Sequence, residues 1–356
     1  MSTPEVGAQS RNVQIFPIIY GLIHALIDAT TVAVIFQTRS FHHLDREMGV
    51  FLILAYDLLA FAGQTPLGWL LDRLRIWRGT AVGGIVICAA AMASVRLDPL
   101  TAMILASVGN AAFHVGSGAL VLHADPGRAT PAGIFVAPGA LGLALGIYFG
   151  KSGMLPAWPY YLLLGLAVVA ALWTPAPDVQ KTRLPKPDID KPLLIVLLLL
   201  FSIVVRSLVG KAGGYALPKE TAVLFGVAAA AFAGKAFGGI LSDRFGWIKI
   251  SVGALLISAP LLAFGKVNVP MIVVGMFLFQ MTMPVTLVAV YSLMPGRPGL
   301  AFGLNCLAYI AGFFATKIHG VRELYNPVVF LVLILLSATA VYLGLRPLQG
   351  KVRMRF

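Results

Sequence analysis

Long apolar blocks separated by short polar loops run along almost the whole chain. Most blocks come close to the roughly 20 apolar residues that a helix needs to cross a bilayer. This pattern predicts an all-α membrane protein with twelve transmembrane helices. The predicted runs cover residues 14–36, 48–71, 79–95, 100–122, 130–150, 157–174, 192–210, 220–242, 247–265, 269–294, 299–317 and 326–346.

The longest polar connection lies near the middle of the chain and divides the runs six and six. It extends from Pro175 to Lys191 and carries four basic residues and four prolines. We therefore predict an N-terminal six-helix bundle over residues 1–175, a cytoplasmic linker over 176–191 and a C-terminal six-helix bundle over 192–356.

Two short sequences recur at the same place in each predicted half. Gly68 to Arg73 after run two matches Gly239 to Arg244 after run eight, and the aspartates of the two copies are 171 positions apart. Residues 126–128 and 295–297 both read Pro-Gly-Arg and follow runs four and ten. Near-constant spacing on one side of the membrane indicates a parallel repeat of six helices, the pseudo-symmetric arrangement of many transporters.

Composition and charge placement agree with a membrane protein. Apolar residues make up 59% of the chain and charged residues 12%, about half the usual share for a soluble domain. The net charge of +13 comes mainly from Lys and Arg in short loops on the side that also holds the ends of the chain. Topology explains this excess better than nucleic-acid binding does. We expect a multi-pass protein of a bacterial-type inner (plasma) membrane with both termini cytoplasmic.

The repeated Gly-x-x-x-Asp-Arg sequence resembles the loop signature of the major facilitator superfamily. The second copy keeps Gly246, whereas Arg75 stands at the corresponding turn of the first copy. The glycine allows a neighbouring helix to approach closely, and the carboxylate can face a helix N-terminus or an arginine, which suits a conformational latch. A generic charged turn is the alternative. The candidate latch residues are Gly68, Asp72, Arg73, Gly239, Asp243 and Arg244.

Shorter sequences in runs one, two and four resemble the fosmidomycin-resistance branch of this superfamily. They are His24-x-x-x-Asp28, Tyr56-Asp57-Leu-Leu-Ala-Phe61 and Phe113-His114, although Val115 stands where the branch usually has proline. The resemblance implies secondary active transport.

Run five resembles the antiporter motif of the same superfamily. Gly133, Pro138 and Gly142 match it, and Ala137 and Leu141 depart from it. Close packing of small residues between helices is the alternative interpretation. The resemblance favours export over import.

Polar side chains interrupt runs one, four, seven and ten, which line the central cavity in the superfamily. Several are spaced three or four residues apart and so share a helix face. Ionisable groups at membrane depth are costly and usually face a cavity or a partner. The candidate substrate and proton residues are His24, Asp28, Asp57, His114, Arg206 and Lys235.

Each candidate has an alternative role. His24 and Asp28 are a proton carrier, a substrate ligand or a structural pair between helices. Asp57 either pairs with Arg206 or faces water, and Lys235 extends to the cytoplasmic surface or binds substrate. Arg206 lies too deep to reach that surface. Its planar fork either binds carboxylate or phosphonate oxygens of the substrate or only pairs with Asp57 or Asp28 across the bundle. We therefore predict an anionic substrate.

The sequence carries no recognisable nucleophile, metal-ligand or nucleotide motif, so we predict a transporter and not an enzyme, with no cofactor and no bound metal. The predicted partners are a small-molecule substrate, protons and the lipid bilayer, with no nucleic acid, and the chain is expected to be a monomer. Proton-coupled export of a small anion is the leading hypothesis. Efflux of lipophilic compounds, import of an anion and a non-transporting sensor remain open alternatives.

Overall fold

The computed structural model describes residues 4–153, 156–177, 187–215, 220–265, 268–318 and 326–350, with side chains from residue 15 onward and none for 212–215. Regular structure in these ranges is helical, without a β-strand. Residues 178–186 of the predicted linker, with Lys181, Arg183 and Lys186, lie outside the described residues.

Fourteen α-helices follow one another along the described chain. They are α1 (Pro4–Phe41), α2 (Arg46–Asp57), α3 (Gln64–Leu74), α4 (Trp77–Ser94), α5 (Pro99–Ala124), α6 (Thr130–Lys151), α7 (Trp158–Trp173), α8 (Pro192–Tyr215), α9 (Thr221–Phe245), α10 (Trp247–Phe264), α11 (Val269–Gln280), α12 (Thr282–Leu293), α13 (Pro298–Ala315) and α14 (Pro327–Leu345).

The helices reproduce the twelve apolar runs, and the predicted all-α membrane fold is confirmed. Within the described ranges, eleven spans are long and apolar enough to cross a membrane, and α7 is a shorter apolar helix in the sixth position. Runs two and ten each contain two helices joined end to end. A five-residue π-helix, Leu58–Ala62, joins α2 to α3, while α11 passes into α12 at Met281.

Helix starts follow ordinary capping chemistry where a polar residue precedes the apolar run. The Asp45 carboxylate accepts a hydrogen bond from the Met48 backbone N–H at the start of α2. Asp98 does the same for Thr101 at the start of α5, and this bond lowers the pKa of the Asp98 carboxyl. Such side-chain acceptors satisfy backbone donors that the first turn of a helix leaves unpaired.

The structure divides into two compact units of mixed sequence origin. The first unit contains residues 1–125, 138–182 and 297–303, and the second contains 126–137, 183–296 and 304–356. The two short exchanged segments carry the beginnings of α6 and α13. Each segment is bound by the aspartate motif of the unit that it joins, as described below.

In the first unit, α5 is the central helix and packs against α1, α3 and α4. Nearly all of its side chains from Gly109 onward are buried. Glycines allow the close approach of α4 and α5: a Cβ added at Gly84 would collide with the backbone of Phe113. Because α5 is enclosed, any polar group on it must find its partner within the protein.

In the second unit, α14 packs against α8 and α10, and α9 packs against α11. A small apolar cluster of Ala230, Ile272 and Met276 joins α9 to α11. Large apolar side chains on the outside remain exposed, among them Leu193 at 70%. In the first unit Trp173 is exposed at 84%. Outward apolar side chains of this size suit contact with lipid.

Candidate functional site

A buried polar triad in the first unit joins the middle of α1 to α5. His24 Nε2 lies 3.2 Å from Asp28 Oδ2, and His114 Nε2 lies 3.4 Å from Asp28 Oδ1. The rings of His24 and His114 meet edge to face with centroids 4.4 Å apart. One carboxylate therefore lies between two imidazoles, and the structure brings three of the six predicted substrate and proton residues together.

Hydrogen bonds extend the triad to α2. Asn110 Nδ2 donates to Asp28 Oδ1 at 3.3 Å and to Thr31 Oγ1 at 3.4 Å. Thr31 Oγ1 also lies 2.8 Å from the Tyr56 hydroxyl and 2.9 Å from the carbonyl oxygen of Ile27. Since the threonine hydroxyl has one proton and the carbonyl can only accept, Tyr56 is the donor when Thr31 bonds to Ile27.

The backbone of α6 closes over the triad at Gly139. A Cβ at this position would collide with His24 Nε2 and would lie 2.7 Å from Asp28 Oδ2. One turn later Gly142 packs directly against the backbone of Ala25. The glycines of run five therefore place α6 against the face of α1 that carries the polar side chains, which accounts physically for the glycine-rich run.

The triad has the chemistry of a cation site. Its possible ligand atoms lie within 4.8 Å of one another. The sequence predicted no bound metal, whereas His24, Asp28 and His114 together form a compact set of possible metal-ligand atoms.

Arg206 is a buried cation of the second unit. Its side chain is on α8 and the residue is 5% exposed. Nη1 donates to the hydroxyls of Thr282 at 3.2 Å and Thr286 at 3.4 Å, both on α12. Across the part of the chain with described side chains, no carboxylate lies within 4.0 Å of this guanidinium. Two neutral hydroxyls are thus its hydrogen-bond acceptors.

The two remaining predicted residues lie at the edges of these clusters. Asp57 is half-buried at the last position of α2, directly after Tyr56 of the polar network. Lys235 is half-buried on α9, where its Nζ donates to the carbonyl oxygen of Val136 at 3.4 Å. Their roles in binding stay predictions.

The first aspartate motif, Gly68 to Arg73, belongs to the last turns of α3 and is not a loop. Asp72 accepts hydrogen bonds from the backbone N–H groups of Gly299 and Leu300, both at 2.8 Å. These are first-turn donors of α13, where the helix dipole also favours a negative charge. Gly68 lets the two backbones meet, because a Cβ there would collide with Gly299.

The second aspartate motif, Gly239 to Arg244, repeats this arrangement at the end of α9. Asp243 accepts from the backbone N–H groups of Ala129 and Thr130, both at 2.8 Å. The Thr130 hydroxyl adds a bond at 2.6 Å, and Arg128 Nε lies 3.7 Å from the same carboxylate. Here too the carboxylate caps a helix, since α6 begins at Thr130.

The arginines of the two motifs point away from their aspartates. The Arg73 guanidinium lies over the ring of Trp69, 3.7 Å from its centroid, and that of Arg244 lies 5.3 Å from the Phe245 centroid. Both arginine side chains are exposed. Among the predicted latch residues, the structure therefore joins the glycines and aspartates to the facing helix and leaves the arginines on the surface.

Two tryptophans support the aspartates and were absent from the predicted site. Trp77 Nε1 donates to Asp72 Oδ1 at 3.2 Å, and Trp247 Nε1 donates to Asp243 Oδ1 at 3.0 Å. The repeat offered a signal, because the tryptophans are 170 positions apart, one fewer than the aspartates.

Comparison with known proteins places this arrangement in a structural class. No family model and no curated protein matches the sequence. The E. coli fucose:proton symporter FucP matches with a TM-score of 0.68 and 14% identity, over 94% of this chain and 98% of FucP. FucP in the outward conformation, a major facilitator superfamily transporter, matches with a TM-score of 0.69 and 15% identity, over 93% of this chain and 97% of FucP.

A human protein gives the same result. The organic anion transporter MFSD10 (TETRAN) matches with a TM-score of 0.70 and 15% identity, over 93% of this chain and 99% of that protein. The chain has the fold of major facilitator superfamily transporters. At 14% and 15% identity the likeness is one of fold, so the chemistry of the triad and of Arg206 has to be argued from this chain's own residues.

Proposed function

We propose that the chain is a secondary active transporter of the major facilitator superfamily, which moves a small organic anion across a bacterial-type inner (plasma) membrane by alternating access. Within the superfamily we assign it to the fosmidomycin-resistance branch. Export coupled to protons is the proposed direction and energy source, with both termini in the cytoplasm and the monomer as the working unit.

Arg206 carries this proposal. Removing a cation from water costs several kcal/mol unless an anion compensates its charge. The acceptors of Arg206 in the described structure are two neutral threonine hydroxyls. An anionic group of the substrate would supply the missing charge, and the planar guanidinium can bind two of its oxygens at once. Lys235 is proposed as a second, more peripheral cation for substrate.

The polar triad supports the proposed coupling to protons. His24, Asp28 and His114 are buried or nearly so and lie within hydrogen-bond reach around one carboxylate. Groups of this kind at membrane depth commonly relay protons in transporters. Asp57 is proposed as the neighbouring acid through which protons reach the triad, since it follows Tyr56 of the same network.

The two aspartate motifs support a change of conformation during transport. Each carboxylate binds the first turn of a helix that is distant in sequence: α6 precedes Asp243 by 113 residues, and α13 follows Asp72 by 227. Bonds between a side chain and free backbone donors can break and reform without unfolding a helix. We propose that Asp72 and Asp243, with the glycines and arginines of their motifs, form a latch that opens in each cycle.

The neighbouring structures agree with a transport function without fixing its details. One is a fucose:proton symporter and another an organic anion transporter. The likeness of run five to the antiporter motif favours export. The branch resemblance favours a phosphonate, which would suit the guanidinium of Arg206.

Transport by purified protein in proteoliposomes tests the proposal. The substrate panel should contain a phosphonate, several small carboxylates, a neutral sugar and a lipophilic cation, each with and without a proton gradient. We expect saturable, gradient-dependent movement of one anion class. Selective transport of the lipophilic cation would contradict the proposal and favour efflux of lipophilic compounds. Accumulation of an anion on the proton-poor side would establish import, and no transport with ligand binding would indicate a sensor.

A further inference from the structure

The polar triad of His24, Asp28 and His114 has the composition and spacing of a metal-ligand set. It offers two imidazole nitrogens and a carboxylate, which are donors that Zn²⁺ and related transition-metal ions prefer. His24 Nε2 and His114 Nε2 lie 3.2 and 3.4 Å from the two oxygens of Asp28. Two ligands held tetrahedrally at about 2.1 Å from one ion lie about 3.4 Å apart. Both imidazoles therefore already stand at the distance from the carboxylate that a shared ion requires.

The hydrogen bond of His114 within its own helix determines which ring nitrogen faces the carboxylate with a lone pair. His114 Nδ1 lies 2.8 Å from the carbonyl oxygen of Asn110, which can only accept, so Nδ1 carries a proton. In the neutral ring the lone pair is then on Nε2, the nitrogen beside Asp28. Metal-binding histidines commonly donate their other ring N–H to a backbone carbonyl, which fixes the tautomer and the orientation of the ring.

The side chain of Asn110 supplies an independent observation. Among the residues that the structure describes, its buried Oδ1 has no hydrogen-bond partner, while its Nδ2 lies 3.3 Å from Asp28 Oδ1. Rotation of the amide exchanges its two ends and brings the oxygen beside the carboxylate. A bound cation would give this buried acceptor the partner that it lacks, and Asn110 would become the fourth ligand.

Charge and space around the triad also suit a divalent ion. Asp28 supplies one carboxylate, and Asp57, directly after Tyr56 of the same hydrogen-bond network, supplies a second nearby. The Asp28 side chain is 19% exposed, which gives an ion access to the carboxylate. Gly139 of α6 leaves space at the triad, because a Cβ there would collide with His24 Nε2.

We infer that the triad, together with the Asn110 amide, binds one divalent transition-metal ion of the zinc class. This site goes beyond the anion transport proposed above and does not depend on it. Because metal ligands have to be deprotonated, protons compete with the ion for the triad. The other titratable groups near the site are Tyr56 and Asp57 on α2 and Cys88 on α4. Mg²⁺ and Ca²⁺ prefer oxygen ligands and should bind far more weakly.

Zn²⁺ binding to full-length purified protein, freed of any polyhistidine tag, tests the inference without a transport assay. Competition with a chromophoric chelator measures the affinity, and Mg²⁺ is the comparison ion. We expect one Zn²⁺ per chain. Replacing an outer-shell partner of a metal costs about 10- to 100-fold in affinity, so His114→Gln and Asp28→Asn, which remove ligands, should lose at least about 100-fold. Asn110→Ala should lose at least about tenfold.

His123→Gln provides a matched control on the same helix. His123 makes the same kind of bond as His114, with Nδ1 2.8 Å from the Ala119 carbonyl oxygen, but does not belong to the triad. This variant should bind Zn²⁺ as the wild type does. Zn²⁺ binding that persists unchanged in His114→Gln and Asp28→Asn, or that is lost equally in His123→Gln, would overturn the inference.

X-ray absorption of the Zn²⁺-loaded wild type identifies the ligands without any variant, so an unstable variant does not leave the question open. We expect two imidazole nitrogens among four nitrogen and oxygen ligands at about 2.0–2.1 Å. No Zn²⁺ binding by the wild type, a ligand shell without imidazole, or equal affinity for Mg²⁺ would contradict the inference. Failure of the proposed function is distinguishable, because a protein that binds no anion at Arg206 can still bind Zn²⁺ at the triad.

Discussion

The two aspartate motifs occupy equivalent positions in the repeat and yet hold their helices differently. Asp72 is half-buried and accepts from two backbone N–H groups and from Trp77. Asp243 is 4% exposed, and beyond the corresponding three bonds it accepts one from the Thr130 hydroxyl and lies near Arg128. The second motif therefore makes the stronger contact.

This difference separates what a repeated sequence specifies from what its surroundings add. Both copies supply the glycine, the carboxylate and the tryptophan, and both carboxylates cap a helix. The additional bonds of Asp243 come from the capped helix, where Thr130 stands in the place that Leu300 occupies in the other copy. We expect the first motif to open at lower cost and the second to contribute more to the stability of the latched conformation.

Neutralising the aspartates should give the largest effect. Asp243→Asn places an amide N–H against backbone donors and removes the charge, which should destabilise the latched conformation by about 3 kcal/mol, with about half that for Asp72→Asn. Both variants should slow transport, Asp243→Asn more, and leave equilibrium substrate affinity within a few-fold. Initial rates and binding isotherms in proteoliposomes check this.

A loss of substrate affinity in either aspartate variant would contradict the assignment of these residues to a latch. If either variant abolished substrate binding while the balance of conformations stayed unchanged, its aspartate would belong to the substrate site and not to a latch. Equal loss of rate in the two variants would remove the proposed difference between the motifs.

Exchanging the residues at the capped helices should transfer part of the difference. Thr130→Val removes the hydroxyl that lies 2.6 Å from Asp243 Oδ2 and should weaken this contact by about 1.5 kcal/mol. Leu300→Thr introduces a hydroxyl at the equivalent position and should strengthen the contact of Asp72. Relative to the wild type, the transport rates of Thr130→Val and Leu300→Thr should shift in opposite directions. A shift of both rates in the same direction would contradict the assignment.

Replacing the tryptophans should have a smaller effect. Trp77→Phe and Trp247→Phe each remove one indole donor while keeping an aromatic ring, at a cost of about 1 kcal/mol. The cost should be greater for Trp247, which is fully buried and makes the shorter bond. Thermal unfolding of the purified variants measures it, and a larger loss in Trp77→Phe would be the contrary result.

The turns that follow the two motifs should give the smallest effect. Arg75 has φ 57° and Gly246 has φ 103°, so both turns need a left-handed residue. Arg75→Gly should change the unfolding free energy by no more than about 1 kcal/mol, because relief of strain offsets the greater freedom of the unfolded chain. Gly246→Ala should cost more than this, and equal thermal stability of the two variants would show that the turns are interchangeable.

Most of the fold could be predicted from the apolar runs, because the length of a membrane helix is fixed by the bilayer. Run two shows where this prediction stops. It is a continuous apolar block, but the chain forms α2, a π-helix and α3 within it. Hydrophobicity does not distinguish an α-helix from a π-helix, since both bury their backbone hydrogen bonds. The aspartate motifs were likewise predicted as loops, whereas they continue their helices.

The candidate site was predictable wherever one helix contains the whole signal. The spacing of His24 and Asp28 places them on one face of α1, and Asn110 and His114 share a face of α5 in the same way. Their joint hydrogen bonding depends on the packing of α1 against α5, which no spacing encodes. The role of Gly139 could not be predicted for the same reason. Its missing Cβ leaves room for His24 and Asp28, which belong to another helix.

The affinity of Arg206→Lys for the anion found in the transport panel tests the central claim most directly. Lysine keeps the positive charge but loses the planar fork that binds two oxygens. Binding to purified protein, followed by ligand-induced thermal stabilisation, should weaken by about tenfold or more relative to the wild type. Unchanged affinity, with a wild-type preference for lipophilic cations, would contradict an anion site at Arg206.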